Sequence, residues 1–258
     1  MKKKLIIKIG TSTLTAGTNR ISFAVIESLA RQIVELKKIY DIVIVSSGAI
    51  ATARQFVEIN GNNRRLDSKQ ALAAIGQTKL MELYDVIFGT FGLNIAQILL
   101  TYHDFENSVA MENTCNTIYR LWELDYIPIV NENDTVSFEE IVLGDNDKLS
   151  SLVATALKID LLVLVSDIDG IFNKNPHLHK DAVLITEVQD LNTIQDYIEE
   201  KKSLLGTGGM TSKIHAAEIC MKNGVEMWIV NGQRHNYIIN AMNGEHPFTR
   251  FKNKNNLQ

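Results

Sequence analysis

Apolar and polar positions along this chain follow two different periods. Short runs at residues 5–9, 42–45, 95–100, 127–130, 161–165 and 227–230 are almost continuously apolar. That pattern predicts strands covered on both faces, as in a parallel sheet. Between them the apolar residues recur at helical spacing. Phe23, Ile26, Leu29, Ile33 and Leu36 fall on one stripe, and Leu72, Ile75, Leu80, Leu83 and Ile87 on another. Strands alternating with helices through right-handed crossovers predict an α/β fold, a three-layer α/β/α sandwich around a largely parallel sheet. No repeat, low-complexity tract or linker interrupts the pattern. The loops lengthen after Val165, so the expectation is one domain over residues 1–258 with two lobes, about 1–165 and about 166–258.

Composition narrows the function classes. Hydrophobic residues make up 45% of the 258 and charged residues 22%, enough for a sizeable core and too apolar for disorder. With 26 Lys+Arg against 30 Asp+Glu the net charge is −4, and basic residues cluster only at Lys2–Lys4. A nucleic-acid or anionic-membrane binder needs a more basic surface. The two cysteines, Cys115 and Cys220, form no CxxC and no disulfide framework, which points to a reducing compartment. The first apolar run is broken by Lys8, too early for a signal peptide, and no stretch approaches the ~18 apolar residues of a membrane span. The expectation is a cytoplasmic protein.

In open parallel sheets ligands sit beyond the carboxyl ends of the strands. Here those ends read Lys8-Ile9-Gly10-Thr11-Ser12, Ser46-Ser47-Gly48-Ala49, Asn131-Glu132-Asn133-Asp134 and Ser166-Asp167-Ile168-Asp169-Gly170, all small, polar or acidic. Lys8 interrupts a strand that should be buried, where an unpaired ammonium is costly. Either it snorkels to water from a fraying strand end, or it holds an anion beside Gly10-Thr11-Ser12; the second reading suits a buried charge better.

A second glycine cluster, Gly206-Thr207-Gly208-Gly209-Met210-Thr211-Ser212-Lys213, runs into a helical pattern. Glycines let a backbone approach phosphate closely, and a helix N-terminus supplies donors and a favourable dipole. Lys213 is unfavourable beside that dipole unless an anion binds there; otherwise the segment is a loop with a solvated lysine. Gly144-Asp145-Asn146-Asp147 precedes a helical run at residues 149–157, and one of its polar residues serves as an N-cap. Three in a row exceed what a cap needs, so Asp147 is a candidate for orienting lysines around a phosphate or holding metal-bound water. Asp134, Asp167 and Asp169 also suit ordinary turns after strands.

Neither a GxxxxGK[ST] P-loop nor a GxGxxG dinucleotide turn occurs, and no serine sits in a GxSxG elbow. His177 and His179 lack partners at ligand spacing and read as surface residues. Trp122 and Trp228 read as core.

Taken in order, Lys8-Ile9-Gly10-Thr11-Ser12, Ser46-Ser47-Gly48-Ala49-Ile50, Ser68-Lys69-Gln70 with Ala73-Ala74-Ile75-Gly76-Gln77, Asn131-Glu132-Asn133-Asp134, Gly144-Asp145-Asn146-Asp147 and Gly206-Thr207-Gly208-Gly209-Met210 with Lys213 resemble the glutamate 5-kinase family of the amino acid kinase superfamily. Each motif is modest alone; the ordered set spans about residues 4–245. The resemblance implies the amino acid kinase fold and ATP-dependent phosphorylation of the γ-carboxylate of L-glutamate, the first step of proline biosynthesis. It implies that Lys8 and Lys213 neutralise the transferring phosphoryl group and that Asp147 organises them. It assigns L-glutamate to Ser47, Asp134 and Asn146 in the first lobe. ATP falls to Lys8, Ser166, Asp167, Thr207, Gly208, Gly209, Met210, Thr211, Ser212 and Lys213, with Mg²⁺ bridging its phosphates. It also implies a homo-oligomer, dimer or tetramer, with no nucleic-acid or membrane partner.

A glutamate carboxylate, with a reference pKa of about 4.3, is already a nucleophile at neutral pH, so no general base is required. Two features depart from the family pattern. Ser166 stands where threonine is commoner, and the expectation is a short form without the RNA-binding-like PUA domain that many members carry. Sensitivity to proline does not follow from these residues. The rival readings are another carboxylate or phosphate kinase of the superfamily, with different partners around Asp134 and Asn146, and a non-catalytic regulator, which should have lost a lysine or Asp147.

Overall fold

The computed structural model describes residues 2–57, 65–136, 146–176, 178–194 and 208–253. In chain order the strands are β1 (Lys3–Ile9), β2 (Tyr40–Ser46), β3 (Asn94–Leu100), β4 (Tyr126–Glu132), β5 (Leu161–Ser166), β6 (Ile171–Phe172), β7 (Leu184–Ile185), β8 (Glu187–Val188), β9 (Glu226–Asn231) and β10 (Thr249–Phe251). The helices are α1 (Thr11–Leu14), α2 (Phe23–Leu36), α3 (Ala49–Ala53), α4 (Leu66–Gly89), α5 (Tyr102–Glu106), α6 (Ser108–Glu123), α7 (Asn146–Leu157), α8 (Gly208–Lys222) and α9 (Tyr237–Met242).

The main sheet runs β3-β4-β2-β1-β5-β9-β10-β8. Neighbours from β3 to β9 are parallel, and only β10 against β9 is antiparallel. All six expected strands are present, and the sheet is largely parallel as expected. Side chains alternate along β1: Leu5, Ile7 and Ile9 pack with Leu14, α2, α4 and α9, while Ile6 packs with α6, α7 and α8. β2 and β5 divide in the same way, Ile42, Ile44, Val163 and Val165 to one layer and Val43, Val45, Leu162 and Leu164 to the other. This makes the three layers. It also explains the continuous apolar runs, since a strand with helices on both faces has no polar side.

Four expectations need correction. β3 is a sheet edge and mostly half-buried or exposed, with Leu99 37% exposed, because only β4 flanks it. In the helical stripes, Phe23 and Ile75 are exposed, Phe23 opening its helix and Ile75 facing away from the packed side of α4. The helix expected from 149 begins at Asn146, so Asn146 and Asp147 lie inside its first turn. Trp122 and Trp228 are only partly buried. Their indole N–H groups donate to the Ile42 carbonyl (2.9 Å) and the Glu226 carboxylate (2.6 Å), which keeps the rings at the margin of the core.

Two glycines set the backbone around the strand ends. Gly48 has φ +102° and leads β2 into α3, a conformation that side chains disfavour. A Cβ at Gly76 of α4 would lie 1.7 Å from the Ala49 carbonyl oxygen, so α3 and α4 meet backbone to backbone. No helix among the described residues is long and apolar enough to cross a membrane.

Candidate active site

By the alternation of β1, Lys8 shares the face of Ile6 and points at the α7–α8 layer. It is 7% exposed and forms an ion pair with Asp147 Oδ1, itself 1% exposed. Asp147 Oδ2 accepts from Lys213 Nζ (3.0 Å) and Ser212 Oγ (3.0 Å), both on α8. Lys213 Nζ also donates to the Gly209 carbonyl at 3.2 Å. Helix packing of α7 against β1 and α8 thus brings three distant residues into one cluster. Burial by itself would push the Asp147 carboxyl up. The ammonium of Lys8, then that of Lys213, outweighs it and holds the carboxyl low, at about 2. The result is two ammoniums fixed on one carboxylate that stays ionised at neutral pH, beside the N-terminus of α8.

Next to this cluster is a cavity of about 190 Å³, lined in part by Thr11, Ser47, Asn131, Glu132, Asp134 and Asn146. Asn146 Nδ2 shares its two hydrogens among the Ser46 carbonyl (2.9 Å), Ser47 Oγ (3.0 Å) and Asn131 Oδ1 (2.9 Å). Those contacts tie the start of α7 to the ends of β2 and β4. Burial first, and the Glu132 carboxylate second, push Asp134 up to about 6. An acid held this way gains from a cationic partner, which would return it to the ionised state.

At the end of β5, Ser166 is buried and Asp167 exposed; Ser166 Oγ donates to Asp167 Oδ1 at 3.2 Å. Beyond them Asp169 takes a two-armed ion pair from Arg234 (2.6 and 2.7 Å) and a bond from Asn231 Nδ2 (3.0 Å). This fastens the loop after β5 to the one after β9. A Cβ at Gly232 would lie 2.5 Å from Val165 and 2.6 Å from Thr13, so that loop passes close over the sheet.

The structure therefore brings Lys8, Asp147, Ser212 and Lys213 together, and groups Ser47, Asp134 and Asn146 around one cavity. Gly208 and Gly209 open α8, with Met210 half-buried and Thr211 exposed behind them. Ser166 and Asp167 stand at a neighbouring strand end, and none of their described hydrogen bonds reaches the lysines. Thr207, with Gly206, Gly144, Asp145 and His177, lies outside the described residues; His179 is exposed. Sequence reasoning quoted Asn131, Glu132 and Thr11 only as parts of motifs. The structure carries β4 past the expected 127–130 to Glu132, so Asn131 and Glu132 are buried strand residues and not part of the turn after it.

Comparison with known proteins gives the family. The model of the amino acid kinase family matches residues 3–231. A glutamate 5-kinase of Clostridium acetobutylicum is 42% identical over 254 residues, covering 98% of this chain and 95% of that protein. One from Listeria innocua is 39% identical and covers 98% and 94%. One from Dehalococcoides mccartyi is 42% identical, covering 96% of this chain and 68% of that longer protein. Among solved structures, UMP kinase from Ureaplasma parvum superposes with a TM-score of 0.68 at 15% identity over 98% of this chain and 99% of that one. An isopentenyl phosphate kinase superposes with a TM-score of 0.65 at 19% identity, over 96% and 100%. These two speak for the fold. The chain belongs to the amino acid kinase family and, within it, to the glutamate 5-kinases.

Proposed function

We propose that this protein transfers the γ-phosphoryl group of ATP to the γ-carboxylate of L-glutamate, giving L-glutamyl 5-phosphate and ADP at the entry to proline synthesis. The observation that carries the reading is the Lys8–Asp147–Lys213 cluster opening beside a cavity with both carboxylate and amide walls. The glutamate carboxylate oxygen forms a bond to the γ-phosphorus as the bond from that phosphorus to the β–γ bridging oxygen breaks, and the electron pair leaves with ADP. The nucleophile is already ionised, so no proton has to move. What remains is positioning and neutralising negative charge spread over the phosphoryl oxygens. Lys8 and Lys213 supply that charge, and Asp147 keeps both ammoniums aimed by accepting from each. The α8 N-terminus adds backbone donors. Mg²⁺, held by the triphosphate oxygens that suit a hard cation, would supply further positive charge there, and no group of three or more His, Cys, Asp or Glu among the described residues could hold a metal ion.

Glutamate takes the cavity of Ser47, Asp134 and Asn146, with Asp134 facing its ammonium group. Ser166, Asp167 and the segment from Thr207 to Lys213 take the nucleotide, so the lobes up to about 165 and from about 166 divide the two substrates. The enzyme in this reading is cytoplasmic and homo-oligomeric. ADP release should be measured with ATP, Mg²⁺ and glutamate, aspartate, N-acetylglutamate, carbamate or UMP. Release with L-glutamate alone is expected. Release with a different acceptor overturns the substrate, and silence with all of them from protein that still binds ATP favours a regulator.

The raised Asp134 pKa gives a pH test. Glutamate's ammonium stays charged below pH 8, while Asp134 takes up a proton as pH falls through about 6 and loses its attraction for that ammonium. The KM for glutamate should therefore climb below that pH, tending to about tenfold per unit, while the KM for ATP stays level. In Asp134→Asn the glutamate KM should be high and flat with pH. A pH-independent wild-type KM between 5 and 8 excludes the pairing.

A further inference from the structure

Gln77 belongs to a motif that the chemistry above leaves unused, and its hydrogen bonds lead to the substrate cavity. Two backbone groups fix the orientation of every amide between them. The Glu132 N–H donates to one terminal atom of Asn131 at 2.9 Å, so that atom is the oxygen. The Ser46 carbonyl accepts from one terminal atom of Asn146 at 2.9 Å, so that atom is the nitrogen, and the same nitrogen donates to Asn131 Oδ1. Asn131 is left with its NH₂ facing α4, where it donates to Gln77 Oε1 at 2.7 Å. Gln77 sits one residue after Gly76, whose contact with Ala49 holds this stretch of α4 against the turn after β2. The Gln77 oxygen is therefore the far end of a relay, on a helix whose backbone is held close, while Gln77 Nε2 is buried with no hydrogen-bond partner among the described residues. That relay runs through Asn131 to Asn146 and Ser47, on the wall of the 190 Å³ cavity.

We propose that Gln77 is a positioning residue for the amino-acid acceptor. By accepting from Asn131 it adds a third anchor, beside the Glu132 N–H and the Ser46 carbonyl, to the orientation of the Asn131–Asn146 pair that spends the hydrogens of Asn146 on the protein. Asn146 then offers its carbonyl oxygen to a ligand, which suits an ammonium group and repels a carboxylate. Without the Gln77 acceptor, the Asn131 NH₂ is left buried and unpaired, and the cost of that lost bond loosens the pair against its two backbone anchors. The proposal rests on glutamate being the acceptor and adds a residue that does not touch it.

The test uses Gln77→Met, which keeps length and volume and removes the acceptor, with Gln77→Glu, which restores an oxygen. Gln77→Met is expected to raise the KM for glutamate about tenfold, with the KM for ATP and kcat within about threefold of wild type. Gln77→Glu should recover most of the loss. In an Asn131→Ala background Gln77→Met should have little further effect, because the relay is already cut. Melting curves on each variant separate this from lost stability. A Gln77→Met enzyme with an unchanged glutamate KM, or one whose effect persists in full on Asn131→Ala, overturns the role. A wild-type protein that binds ATP but is inert to glutamate overturns the functional reading itself, and this one with it.

Discussion

Lys8→Ala should lower kcat by about a thousandfold while the protein still folds, and Lys213→Ala should do the same. Removing a single preorganised donor from a site that stabilises developing negative charge has effects of this order. Each lysine is one of two cations on Asp147, so in either variant the carboxylate keeps one partner and the buried cluster stays compensated. The main loss is therefore in the transition state. The KM for glutamate should move much less than kcat, since its cavity is walled by other residues. Steady-state ADP release together with a circular-dichroism melt checks both halves. Turnover near the wild-type rate in both variants would refute the mechanism.

Asp147→Ala should damage fold and activity together. It leaves two ammoniums facing each other, one of them 7% exposed, with their shared acceptor gone. Breaking a buried charge pair from one side typically costs about 3–5 kcal/mol. For a chain of this size that corresponds to roughly 10 °C in Tm. Activity should fall at least as far as in the lysine variants, because both cations lose their aim. ATP should raise the Tm of Asp147→Ala by more than it raises that of wild type, since a phosphate can take the place of the missing carboxylate. An equal ATP shift in the two proteins argues against a phosphate at this point.

The same carboxylate sets an acid limit. Its folded pKa is depressed, to about 2, so its contribution is fully present above the unfolded value near 4 and is lost as pH falls from there through about 2. Asp147→Ala should lack that limb of the wild-type stability curve.

Much of the architecture was legible before the structure was seen. Residues 5–9, 42–45 and 161–165 read as doubly covered strands because helices on both faces leave no polar position to break the run. The same logic misjudged β3, since an edge strand can be as apolar as a central one, and only its neighbours reveal that one flank is open. Lys8 was visible as an anomaly, a charge in a buried strand, and Lys213 as a cation beside a glycine-rich helix start. Asp147 stands out in the residues as an excess of polar groups over what a cap requires, and the resemblance makes it the organiser of the two lysines.

Periodicity and spacing did not pair Asp147 with Lys8 and Lys213; only the family resemblance implied it. Periodicity is a local property, recording which face of an element is apolar, and it carries no information on which strand lies next to which. The order β2-β1-β5 and the packing of α7 on β1 and α8 decide that Asp147 receives both lysines. The close approach of α3 and α4 at Gly76 decides that Gln77 meets Asn131. Residue types and their spacing were enough to specify the sheet, the helices and the charges that needed an explanation. Which atoms satisfy those charges is set by through-space contacts between segments far apart in the chain, and only the folded arrangement contains them.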